Sequence, residues 1–211
     1  MKNLDSLNLM CVFCGSSMGF DEKYHTVAVE LGKQIAQRGL QLVYGGSSVG
    51  LMRLLADSAL HNGGKVLGII PEVLVEKNVC YDKITNSILC KNIAERKQLM
   101  IDKSDCFVAL PGGIGTLDEI TEVFTFNQLN NVTKPLALLN VDHFYDHFIS
   151  HLDVCVDKGF IRIEHRKNLI VADSVDDLFE KIYSFKPIEI DSKWVEVIIE
   201  NTENVLQDID N

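Results

Sequence analysis

The sequence predicts an α/β protein built on a doubly wound parallel sheet with helices covering both faces. Short, nearly continuous apolar runs recur along the chain, and between them lie stretches with apolar residues at helical spacing. Runs that are apolar at every position suit strands buried on both faces, and strand-helix alternation returns each strand parallel to the last through right-handed crossovers. A third observation concerns the ends of the runs. Three of them lead into glycine or serine loops, Gly15-Ser16-Ser17, Gly45 to Gly50 and Pro111 to Thr116, and sheets of this kind bind ligands at the carboxyl ends of their strands.

The first run is Leu7 to Cys14, followed by a helix that Asp21 can cap, with Val27, Ala28, Leu31 and Ile35 on one face and Gly39 at its end. Leu40 to Tyr44 repeats the pattern; Leu51, Leu54, Leu55 and Ala59 mark the next helix, and Gly63-Gly64 ends it. A third strand, Val66 to Ile70, stops at Pro71. Glu72 to Asn92 is less regular, with a short strand expected at Ile84 to Leu89. A helix from about Asn92 to Lys103 turns Leu99, Met100 and Ile93 inward and carries Arg96 and Lys97. The central strand, Cys106 to Leu110, follows. Ile120, Val123, Phe124 and Leu129 then mark a helix beginning after Thr116, and Pro135 introduces the strand Leu136 to Val141. A helix over Phe144 to Asp157, a short strand at Leu169-Ile170-Val171 and a helix capped by Ser174 complete residues 1–186. Residues 187–211 differ in composition, with seven acids against Lys193 and a net charge of -6. There, Trp194, Ile198, Val205 and Ile209 have the spacing of an amphipathic helix.

A chain of 211 residues, 46% hydrophobic and 24% charged, has the material for one large core. No run approaches the roughly 18 apolar residues that span a bilayer, and Met1 to Asp5 lacks the apolar stretch of a secretory leader, so a cytoplasmic protein is expected. A net charge of -10 argues against a nucleic-acid partner. The six cysteines lie mostly inside apolar runs, which suits reduced thiols. Cys11 and Cys14 are three apart in an extended run, so they point to opposite faces and lack the second pair a zinc site needs. His143, His147 and His151 recur every fourth residue and can share a helix face, which reads as a solvated face. No metal or cofactor is expected.

The segment Pro111 to Glu119 concentrates the chemistry. Three glycines within four positions, Gly112, Gly113 and Gly115, let a ligand approach the main chain. The first amides of the helix beyond have no intrahelical partner and sit at the positive end of its dipole, which suits a phosphate. Thr116 adds a hydroxyl. The same residues allow another reading, because Thr116-x-x-Glu119 also fits a capping box that merely starts a helix. Neither the dinucleotide G-x-G-x-x-G pattern nor a P-loop is met, since Gly45 to Gly50 is followed by Leu51-Met52.

Taken in order, Val12-Phe13-Cys14-Gly15-Ser16-Ser17, Val43-Tyr44-Gly45-Gly46, Gly50-Leu51-Met52, Glu95-Arg96-Lys97, Pro111 to Glu119 and Pro135 to Val141 resemble the signatures of the LOG ("lonely guy") family. These are cytokinin riboside 5'-monophosphate phosphoribohydrolases, once mislabelled lysine decarboxylases, and the resemblance covers about Leu9 to Ile161. It implies a Rossmann-like homodimer that splits a nucleoside 5'-monophosphate into free base and ribose 5-phosphate without a cofactor. It also implies a catalytic pair at Arg96 and Glu119. Phosphate and ribose contacts are implied for Gly112, Gly113, Gly115 and Thr116, with Ser16, Ser17, Gly46 and Lys97 nearby. The chain departs from many relatives at Ile93-Ala94, Ser47 and Asp118, which bears on substrate preference rather than on reaction class.

The chemistry is consistent with that pair. Breaking the C1'-N bond builds positive charge on the ribose and negative charge on the leaving base, so a carboxylate and a donor are needed on opposite sides. Glu119 and Arg96 supply them, Arg96 as an electrostatic clamp because arginine stays protonated. A rival class is a binding protein of the same fold, such as a molybdenum-cofactor carrier, that uses these loops to hold a nucleotide without hydrolysis. A nucleotide-responsive interaction protein acting through the acidic tail is another. The expected partners are a small nucleoside monophosphate and a second copy of the chain.

Overall fold

Strand β1 (Leu9–Phe13) sits near the middle of a sheet, and its alternation sets the architecture. Met10 and Val12 belong to one apolar cluster, while Cys11 and Phe13 belong to the other. The same division recurs in β5 (Cys106–Ala109), where Cys106 and Val108 face one way and Phe107 and Ala109 the other. A strand that is apolar on both sides must be covered on both sides. The computed structural model describes residues 7–77, 79–129, 134–188 and 194–209.

The remaining strands are β2 (Gln41–Tyr44), β3 (Lys65–Pro71), β4 (Asn86–Cys90), β6 (Leu136–Leu139) and β7 (Leu169–Ala172). They form a seven-stranded sheet in the order β4-β3-β2-β1-β5-β6-β7, parallel throughout. On one face lie α1 (Glu22–Gln37), α2 (Gly50–His61) and α8 (Val175–Ser184), burying Leu31, Ile35, Leu55, Leu178 and Phe179. The other face carries α4 (Ile93–Lys103), α5 (Ile114–Leu129) and α6 (Asp146–Asp157), with Met100, Ile120, Val123 and Leu152 inward. Short helices α3 (Glu72–Val75) and α7 (Ile163–Lys167) lie in connections, and α9 (Trp194–Ile209) forms the acidic tail. The doubly wound parallel sheet is therefore as the apolar runs predict.

The chain winds outward from β1 through β2, β3 and β4, then returns so that β5 pairs with the other side of β1. The switch point lies between the carboxyl ends of β1 and β5, where two flanking loops must diverge and leave a crevice. Two of the three glycine or serine loops meet there. The amide of Gly15 donates to the Pro111 carbonyl at 3.1 Å.

Three local expectations change. Helix α5 begins at Ile114, with Gly113 supplying the carbonyl that accepts from Thr116 and Leu117, so Thr116 is inside the helix and no capping box forms with Glu119. Helix α6 begins at Asp146, because Asp142 and His143 adopt left-handed backbone angles, φ 51° and 61°, that a helix cannot contain. His143 therefore does not share a helix with His147 and His151. The irregular stretch before β4 holds the short helix α3, and the strand itself runs Asn86–Cys90, slightly later than expected.

Cys11 and Cys14 lie in different clusters, as their spacing predicts, and all six cysteines are free thiols. Burial pushes the Cys11 and Cys14 thiols well up. Among the described residues no group of three or more His, Cys, Asp or Glu is placed to hold a metal ion, and no helix is long and apolar enough to cross a membrane. Helix α9 exposes Ile198, Ile199, Val205, Leu206 and Ile209.

Candidate active site

The site begins with the buried stripe of α5, Thr116, Glu119, Ile120 and Val123, spaced as one face of a helix. Three of these positions suit a core; a carboxylate at the fourth needs a partner. It comes from α4, whose inward residue Met100 lies one turn beyond Arg96 and so brings the guanidinium to the same side. Nη2 of Arg96 lies 3.2 Å from Oε1 of Glu119, with side-chain exposures of 13% and 10%. That contact is electrostatic rather than an aligned hydrogen bond, for Glu119 Oε1 and Arg96 Nε are both buried without a hydrogen-bond partner among the described residues. Burial pushes the Glu119 carboxyl up to about 7, which the neighbouring Arg96 only partly offsets; Asp118 adds to the rise.

Gly45 makes room for Arg96. A Cβ at this position would collide with Nη2 of the arginine and crowd the sulfur of Met52. Alternation from Val43, which faces the α4 side of the sheet, carries Gly45 to the same side. The period of two was the signal in the sequence that could have identified it. Gly46, the glycine expected at the site, is buried with φ +74° beneath Ile70 and Gly68, and its carbonyl accepts from the Tyr81 amide.

Gly113, Ile114 and Gly115 are exposed where α5 opens, Ile114 by 81%, and nothing lies within 4 Å of where a Cβ would stand on Gly113 or Gly115. Gly112 is different: a Cβ there would strike Oγ1 of Thr116, which is buried under the turn. Ser16 and Ser17 are exposed beside this turn, joined to it through Gly15, and the Ser17 carbonyl accepts from Leu51 at 3.4 Å. The turn, the two serines, Gly45, Arg96 and Glu119 thus come together around the carboxyl ends of β1, β2 and β5.

Lys97 is turned away from them. Its ammonium bonds both oxygens of Asp118, at 3.1 and 3.0 Å, and pairs with Glu122, in an open groove along α5 that also includes Thr125, Phe126 and Leu129. Those carboxylates, Glu122 foremost, hold its pKa above the ordinary lysine value. Phe124 and Phe126 are both half-buried at the margin of the same core cluster. Sequence reasoning also missed the clamp beside the Gly45–Gly46 loop, where Tyr81 donates to Asp57 and Arg53 stacks on the Tyr81 ring at 4.2 Å.

A family model described as "Possible lysine decarboxylase" matches residues 52–182. The chain is 42% identical over 179 residues to the cytokinin riboside 5'-monophosphate phosphoribohydrolase LOG5 of Arabidopsis thaliana, covering 85% of this chain and 78% of that protein. It is 43% identical over 187 residues to the rice (Oryza sativa) enzyme LOG, covering 88% and 77%. Among solved structures, the molybdenum cofactor binding protein of Rippkaea orientalis superposes with a TM-score of 0.65 at 23% identity, over 84% of this chain and 96% of that one. At that identity the likeness is one of fold.

Proposed function

The chain belongs to the LOG family of cytokinin riboside 5'-monophosphate phosphoribohydrolases, and from that premise we propose that it hydrolyses the N-glycosidic bond of a purine nucleoside 5'-monophosphate. The substrate is a cytokinin riboside monophosphate or AMP, and the products are the free base and ribose 5-phosphate. The observation that carries this reading is the Arg96–Glu119 pair, nearly buried and 3.2 Å apart, with a carboxylate oxygen lacking a hydrogen bond among the described residues.

In this reading the exposed turn at Gly113 and Gly115 receives the 5'-phosphate, with Thr116 buttressing Gly112 from beneath and Ser16 and Ser17 across the crevice. Glu119 faces the ribose. In its ionised form it stabilises positive charge at C1' or takes the proton from the attacking water, while Arg96 opposes charge on the departing base. Hydrolysis adds water across the C1'-N bond: hydroxide goes to C1' and a proton to the base. Lys97 holds the Asp118 edge of α5 rather than the substrate, and with its pKa raised it is poorly suited to the Schiff-base chemistry that an amino-acid decarboxylase would require.

The catalytic unit is residues 1–186, in keeping with a family match that ends at residue 182, and 187–211 are an appendage. A homodimer is part of the same reading, supported by the open groove in which Leu129 is 72% exposed beside Phe126. A cytoplasmic location fits the reduced cysteines. The test is release of free base from purine and pyrimidine monophosphates, N6-substituted AMP and the matching nucleosides. Turnover of a purine monophosphate well above its nucleoside is expected. Tight AMP binding with no base released would make the protein a carrier instead.

A further inference from the structure

The β6–α6 connection lies behind the glycine turn. Asn140, at the end of β6, is nearly buried; its amide donates to Ala172 at 2.7 Å, its side-chain oxygen accepts from the Tyr145 amide at 2.7 Å, and its side-chain nitrogen donates to Asp146 at 2.8 Å. Between Asn140 and Tyr145 the backbone turns through Asp142 and His143, consecutive non-glycine residues at φ 51° and 61°. Asp and His tolerate this region better than most residues, yet glycine alone occupies it without strain. Two such residues in succession persist where the surroundings over-determine the turn.

What the turn accomplishes is to double the chain back so that Tyr145 enters the core under β5. The ring is 1% exposed, packed edge-on against Phe144 and Phe148 with centroids 5.0 and 6.4 Å away. Its hydroxyl donates to the Leu110 carbonyl at 2.6 Å. Leu110 directly precedes the glycine turn, its amide is held by Phe13 at 2.9 Å, and the next carbonyl, that of Pro111, takes the Gly15 amide. The phenol thus fixes the peptide plane from which Pro111-Gly112-Gly113 departs. The other side of the connection is tied to α1, through Lys23 to Asp142 at 2.8 Å and an edge contact of Tyr24 with Phe144 at 5.9 Å. The glycine turn and the start of α1 are therefore both tied to this one turn.

We propose that Tyr145 is a positioning residue: through the Leu110 carbonyl it holds the glycine turn in the geometry that receives the substrate's phosphate. This rests on the reading of that turn as the phosphate site. A phenol that served packing alone would need no hydroxyl beneath the turn, and the backbone strain at Asp142 and His143 would have no return.

Tyr145→Phe in the full-length protein keeps the ring and removes only the hydroxyl. AMP and ribose 5-phosphate affinity by calorimetry, steady-state base release from AMP and adenosine, and thermal melting are then compared with the parent. About tenfold weaker AMP and ribose 5-phosphate binding is expected, with KM raised more than kcat is lowered and any slow turnover of adenosine unchanged. Wild-type affinity for both ligands in a folded variant would overturn the proposal. Should Tyr145→Phe fail to fold, Asn140→Ala decides: it removes the side-chain oxygen that holds the Tyr145 amide, and by loosening the phenol it is expected to weaken AMP about threefold. A folded Asn140→Ala with unchanged affinity would overturn it equally. The ligand affinities keep this result separate from the proposed reaction, because they are measurable even if the parent protein releases no base.

Discussion

Glu119 Oε1 lies 3.2 Å from Arg96 Nη2 and has no hydrogen bond among the described residues, although both side chains are nearly buried. A structural ion pair at this depth would be expected to satisfy its oxygens, because an unpaired buried acceptor costs roughly 1–3 kcal/mol. The unsatisfied oxygen lies beside the arginine beneath the surface, and the small exposed remainder of the carboxylate is what a ribose hydroxyl or water can reach. With the capping box absent, Glu119 has no role in starting α5 that could account for its presence.

Glu119→Gln is accordingly expected to reduce base release from AMP by on the order of 10²-fold or more while leaving AMP affinity nearly unchanged. Arg96→Ala should lose turnover as well, and the double variant should be little worse than either single change. Single-turnover base release and calorimetric AMP affinity on the three variants check this. Near-parental hydrolysis by Glu119→Gln would return the pair to a purely structural role.

The raised carboxyl makes two pH-dependent outcomes follow. If the ionised form acts, kcat/KM for AMP should rise with pH through about 7. Stability should move the other way. The native state holds its Glu119 proton up to about 7, whereas an unfolded glutamate releases it near the usual 4.5, so this group's contribution is complete below that value and is lost as pH rises through the folded value. Melting temperatures of the parent and Glu119→Gln between pH 4 and 8.5 should diverge in the glutamine variant's favour as pH rises.

Gly45→Ala should separate fold from catalysis. The added methyl meets the Arg96 guanidinium, the end of a flexible side chain, and the Met52 sulfur, so the arginine can move aside at modest cost to stability. Turnover should fall by roughly 10²-fold, since catalytic groups displaced by about 1 Å lose that much. Full activity in Gly45→Ala would show that the arginine need not rest on this glycine.

His165 offers a control far from the chemistry. It is buried in α7 with Nε2 unpaired among the described residues, and burial holds its pKa below the ordinary value, with Arg162 lowering it further and Glu164 opposing both. Its contribution is present above the unfolded value near 6.5 and is lost as pH falls through the folded value. His165→Gln should flatten the acid limb of the stability curve, read by urea unfolding at pH 5 and 7. An unchanged acid limb would assign it to other groups.

Much of this architecture was legible because β1, β2, β5 and β6 are apolar at successive positions and turns follow them directly. The start of α5 was not. Thr116-x-x-Glu119 fits a cap in sequence, but positions 116, 119, 120 and 123 also form a buried stripe, and the core decided between them. The same competition hid the start of α6, where nothing in Asp142-His143 signals a left-handed turn as a glycine would. Arg96 and Glu119 were named as a pair only through the family resemblance, and their meeting depends on α4 and α5 sharing one sheet face, which local spacing does not encode. The part Gly45 plays beside Arg96, and that of Tyr145 beneath Leu110, were hidden for a similar reason: each matters through a neighbour distant in the chain.

Because β1 pairs with β2 on one side and β5 on the other, the crevice is a seam between the part of the chain before Lys103 and the part after it. Neither part contains a whole site: Ser16, Gly45 and Arg96 lie before the seam, and Gly112 to Glu119 lie beyond it. Closing it joins residues nearly a hundred positions apart, as Met10 with Cys106, so it is among the slower contacts for a folding chain to make. A nucleotide in the crevice would fasten the two parts to each other. Amide exchange in β1 and β5 should therefore slow on AMP binding out of proportion to the few residues the ligand touches, so that occupancy acts as a stitch through the centre of the sheet.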